Sequence, residues 1–81
     1  MDLKLTAKRA MEFEARTGVD LLIYLKQVAE TGEISMKMLI ELFMAMGDNY
    51  TVDTFDNWDA PYTTKVTAIM NAVKEFTDGK N

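Results

Sequence analysis

Cysteine and histidine are both absent from these 81 residues. Without cysteine there is no disulfide and no thiol nucleophile, which fits a reducing compartment. Without histidine the commonest neutral metal ligand and the commonest general base near neutral pH are missing. Serine occurs once, at Ser35, and neither a serine-centred nucleophile motif, a glycine-rich phosphate loop nor a catalytic carboxylate pair can be drawn. The expectation is therefore a chain with no catalytic, cofactor-binding or metal-binding residues. No apolar run approaches the length of a membrane span. The opening MDLKLTAKRA is too polar for a signal peptide, so the expected compartment is the cytoplasm.

What is present reads as one globular domain spanning residues 1–81. Hydrophobic residues make up 48% and charged residues 27%, a balance that favours a packed core over disorder. A core of this size gives only marginal stability. The net charge is −4, with six bases and six acids in residues 1–40 and three bases and seven acids in residues 41–81. The excess negative charge sits in the second half and repels phosphate, so neither nucleic acid nor an anionic membrane surface is an expected partner.

Capping residues and glycines divide the chain into helices. Leu3 and Leu5 alternate with Asp2 and Lys4, which predicts a short extended lead-in. Thr6 can cap a first helix to about Arg16, closed by Gly18. Asp20 caps a second, from Leu21 to about Glu30, closed by Gly32. Ser35 caps a third over Met36–Met46, closed by Gly47. Thr51 can cap a short helix or turn through Trp58, and Pro61 suits the first residue of a last helix to about Phe76. Residues 76–81 read as a frayed tail. Spacing agrees with helices throughout: Tyr62, Val66, Ile69, Val73 and Phe76 form one stripe, and Leu21, Leu22, Leu25 and Val28 another. The fold class expected is all-α, a small bundle of four to five short helices.

Four features could carry function. The third helix is apolar over about 260° at about 100° per residue, leaving only Lys37 and Glu41 as a polar strip. Met36, Leu39, Phe43 and Met46 occupy the middle of the arc, Met38 and Leu42 one flank, Ile40 and Met44 the other. Either this is the central helix, wrapped by the rest, or Met38, Leu42 and Met44 belong to an exposed partner surface, which Ile23 of the second helix would join. Such a surface would also allow a homo-oligomer. Glu14 falls inside the apolar arc of the first helix with Ala7, Ala10, Met11 and Phe13, and is expected to be a structural polar residue meeting the start of a neighbouring helix or a basic side chain. In residues 48–62 four aspartates alternate with Tyr50, Phe55, Trp58 and Tyr62. Calcium-loop chemistry is excluded there, since the required glycine and closing glutamate are missing. Two readings remain open: a solvated acidic face over a satellite core of Phe55 and Trp58, or an acidic aromatic surface, Trp58 included, for a basic helical partner.

The run LTAKRAMEFEARTGVDLLIYL, with Leu3 and Leu5, Glu14, Thr17-Gly18 and Leu21-Leu22, resembles the opening of tail assembly chaperones from long-tailed bacteriophages and prophages. The serine-capped third helix, Ser35 to Met46, is similar in placement. The resemblance covers the first half to three-fifths of the chain; the aspartate-rich segment and the last helix have no counterpart in it. It implies a non-catalytic assembly factor that binds the tape measure protein and helps recruit tail tube subunits in the bacterial cytoplasm. The alternatives are a small acidic inhibitor of another protein and a minor structural head–tail component.

Overall fold

In the computed structural model, which describes residues 2–79, five helices follow one another: α1 (Ala7–Thr17), α2 (Leu21–Thr31), α3 (Met36–Ala45), α4 (Val52–Asn57) and α5 (Tyr62–Thr77). Among the described residues there is no strand. The all-α bundle with an extended lead-in is the architecture the sequence predicts.

Each boundary has a local cause. Thr6, Asp20 and Ser35 accept hydrogen bonds from the backbone N–H groups of Arg9, Ile23 and Met38, which satisfies donors that a helix start leaves unpaired. Thr51 and Thr54 cap α4 reciprocally. Gly18 and Gly32 end α1 and α2 at φ 72°, a left-handed conformation that glycine enters without a Cβ penalty. Pro61 stands one residue earlier than expected, as the cap of α5 and not its first helical residue, a shift within the ordinary spread of helix ends. The fraying expected from residue 76 does not begin there, because Phe76 packs against the core and Thr77 is still helical. Residues 80 and 81 of the expected tail lie outside the described residues.

α3 is the central helix. It packs against α1, α4 and α5, and Leu39, Leu42, Phe43 and Met46 are inaccessible or nearly so. They meet Phe13 of α1, Leu21 of α2 and Ile69 of α5 in one core. The lead-in belongs to the same core through Leu5, 4% exposed, while Asp2 and Lys4 face solvent. It is held by two backbone carbonyls: Tyr50 Oη donates to Asp2 O at 2.7 Å, and Arg9 donates to Lys4 O at 3.0 Å.

Several expected positions are corrected. On the polar strip, Glu41 accepts from Arg16 Nε at 2.6 Å, because α1 runs alongside that edge of α3. Met36 is 52% exposed, since it opens α3 beyond the reach of its neighbours. Ala7 and Met11 face water, leaving Ala10 and Phe13 as the buried face of α1. Leu22, expected in the core, is 64% exposed. The reason is that the backbone of α2 comes close to that of α1 alone, so Leu21 is enclosed and Leu25 partly so, while Leu22 is left open.

The aromatics of the acidic segment form no satellite core. Phe43 stacks on Tyr50 with centroids 4.8 Å apart at 8°, meets Phe55 edge-on at 5.4 Å and lies over Trp58 at 5.9 Å. These are favourable aromatic arrangements, and they fasten α4 and its flanking loops to the centre of α3.

Candidate functional site

Of the two readings of α3, the burial of its side chains favours the central helix over an exposed partner surface. Leu42 is fully buried against the core, because α3 is covered on several sides. Met38, Met44 and Trp58 are half-buried and pack against the same core. Ile23 is 59% exposed on α2, outside that cluster. Of these five side chains, it alone is largely open to solvent. The broad arc that suggested self-association through α3 is likewise occupied by the chain's own helices.

Glu14 has a structural explanation. Its Oε2 accepts the backbone N–H of Leu21 at 2.9 Å, the first residue of α2. A carboxylate at a helix start pairs an otherwise free donor and faces the positive end of the helix dipole. The half-buried Glu14 side chain therefore sets the α1–α2 corner.

The exposed apolar area lies elsewhere, between α2 and α5. Leu22, Leu25, Val28 and Ala29 form one wall of a groove of about 410 Å³, and Met70, Val73 and Thr77 form the other. The groove lies where the backbone of α2, anchored at α1, stays apart from that of α5. Its two walls are built alike. Leu22, Leu25, Lys26 and Ala29 follow the spacing i, i+3, i+4, i+7, and so do Met70, Val73, Lys74 and Thr77. That spacing places each set on one face of its helix.

The charge at the groove is opposite to that of the chain. Lys26 and Lys74 are the charged side chains lining it, in a protein of net charge −4. Among the described residues, neither ammonium has a carboxylate within 4.0 Å. A second concavity, of about 420 Å³ between the lead-in and α5, is lined by Asp2, Lys4 and Glu75 together with Leu3, Leu5, Ala72 and Phe76. Its mixed charges make it a poorer apolar receptor.

Sequence reasoning reached Leu22 and Leu25 but assigned them to the core, and it left Met70 unassigned. The signal available was the pair of polar side chains beside the stripe: Lys26 and Gln27 leave α2 without apolar residues on enough of its circumference to be enclosed. Lys65 was also missed. It is 8% exposed, donates from Nζ to Phe55 O at 2.7 Å and sits 4.7 Å from the centre of the Phe55 ring. The carbonyl and the ring face together replace part of its lost hydration. Among the described residues no three acidic side chains converge as metal ligands, and no helix is long and apolar enough to cross a membrane.

The chain matches no protein-family model, no curated protein and no solved structure.

Proposed function

We propose that this protein is a non-catalytic binding module that shields helical segments of a client protein, acting as a tail assembly chaperone in the bacterial cytoplasm. The observation that carries the reading is the apolar groove between α2 and α5. It gathers the 64% exposed Leu22 with the half-covered Leu25, Val28 and Met70, whereas the other exposed apolar side chains, among them Met11, Ile23, Met36 and Val52, do not line it. Exposed apolar side chains gathered in a groove are a common mark of a protein-binding site. The N-terminal resemblance supplies the client: a tape measure protein, long and helical, with tail tube subunits recruited to the complex.

A chaperone of this kind needs no nucleophile, metal or cofactor. It needs apolar surface presented on a small, folded body whose net charge, here −4, keeps the client dispersed. The experiment is co-expression with a fragment of a tape measure protein, reading the soluble fraction and co-purification. The expected result is a soluble complex where the fragment alone is insoluble. A fragment that stays insoluble and is not retained would refute the chaperone assignment.

A further inference from the structure

We infer that the α2–α5 groove receives one amphipathic helix of another protein, and that this helix carries carboxylates on both sides of its apolar stripe. The inference rests on the reading of the chain as a protein-binding module, and it specifies the chemistry of the partner.

The geometry selects a helix. The two walls present residues at i, i+3 and i+7 over parallel stretches of sequence, Leu22 to Ala29 and Met70 to Thr77. Each stretch is about 10 Å long at 1.5 Å per residue. A groove of two turns between two helices is filled by a third helix with its own apolar residues at the same spacing. An extended segment would bring a row of unpaired backbone groups against the apolar middle of the walls, Leu25, Met70 and Val73. At the middle of the walls the main-chain groups of Leu25, Met70 and Val73 are already paired within α2 and α5.

The charges select the flanks. Lys26 and Lys74 stand at the i+4 position of their respective walls, one on each helix, and so would lie one on either side of a bound helix. Their aliphatic stems extend the apolar surface while the ammonium groups stay in water. A helix with glutamate or aspartate beside its stripe would pair with both. A helix with lysine there would be repelled by both, in a region where the described residues provide no neutralising carboxylate within 4.0 Å. A second copy of this chain is a poorer occupant, because meeting groove to groove would set Lys26 and Lys74 of one copy beside the same lysines of the other.

The test uses two synthetic helical peptides with the same leucine stripe, one flanked by glutamates and one by lysines. Binding to the full chain is titrated by heteronuclear NMR. The glutamate peptide is expected to bind about tenfold more tightly, in line with two rim ion pairs gained in one case and two repulsions in the other. Shift changes are expected at Leu22, Leu25, Ala29, Met70 and Thr77. Lys26 and Lys74 are exposed, so the double variant K26E/K74E should fold and should reverse the preference. Leu22→Glu, at another exposed site, should weaken both peptides.

Equal affinity for the two peptides, or no reversal in K26E/K74E, would overturn the charge selection. Shift changes confined to other faces would overturn the groove. A dimer in sedimentation that dissociates with Leu22→Glu would assign the groove to a second copy instead. Retention of a tape measure fragment alongside any of these results would leave the chaperone reading standing while removing this inference. Loss of the fragment with intact peptide discrimination would do the reverse.

Discussion

Replacing Gly47 by alanine tests whether the aromatic cluster locks the lead-in to α3. A Cβ built on Gly47 falls 2.5 Å from two ring carbons of Tyr50 and 2.8 Å from a third, so the ring must move by about 1 Å to reach ordinary contact. It is not free to do so. The ring stacks on Phe43 at 4.8 Å, and its hydroxyl donates to Asp2 O at 2.7 Å. Displacement sacrifices part of a stacking contact worth about 0.5–1.5 kcal/mol and part of a hydrogen bond worth a similar amount. Alanine also restricts the unfolded chain, which returns about 0.4–1 kcal/mol. The net expectation is a loss of about 1–2 kcal/mol, or about 5–10 °C in Tm for a domain of this length. Thermal melting by circular dichroism measures it. The decisive comparison is the same substitution made in a Tyr50→Ala background, where the clash is gone and Gly47→Ala should be neutral or slightly stabilising. An equal loss in both backgrounds would refute the steric argument and place the cost in the backbone of the α3–α4 loop.

Glu14→Ala removes the acceptor of the Leu21 N–H and should lower stability by about 1–2 kcal/mol, read as a lower urea midpoint; an unchanged midpoint would mean water replaces the carboxylate without loss. Phe43→Ala deletes the ring on which Tyr50, Phe55 and Trp58 all pack and should cost about 3–5 kcal/mol, leaving the chain largely unfolded by circular dichroism. Leu42→Ala should cost about 2–5 kcal/mol and Leu22→Ala less than about 0.5 kcal/mol, although both are leucines on apolar stripes. Comparable losses from the two in parallel melts would contradict the exposure of Leu22.

The helices were legible because each is marked by local chemistry. Thr6, Asp20, Ser35 and Thr51 precede helices, while Gly18 and Gly32 follow them, and these signals need no knowledge of the rest of the chain. The identity of the central helix was legible in the breadth of the α3 arc, which only a residue row surrounded on several sides can use. The candidate surface was not legible, since Met38, Leu42 and Met44 look like flank residues until α1, α4 and α5 close over them. Leu22 shows the converse. Its periodicity matches that of Leu21 and Leu25, but periodicity states which side of a helix a residue lies on and not whether another helix arrives there. Lys65 escaped for a related reason: its burial depends on a carbonyl and a ring supplied by α4, ten residues away.

The attachment of α2 to α1 alone has a consequence for how the molecule opens. Such a helix can detach by losing the core contacts of Leu21 and Leu25 and the Glu14 bond while α1, α3, α4 and α5 remain assembled. Its amides should therefore exchange with solvent through a partial opening of lower free energy than global unfolding, whereas those of α3 should exchange only when the whole domain unfolds. Native-state hydrogen exchange would then divide the chain into two cooperative units of unequal stability, with boundaries at the Gly18–Asp20 and Gly32–Ile34 connections. Whatever occupies the space beside α2 would merge them into one.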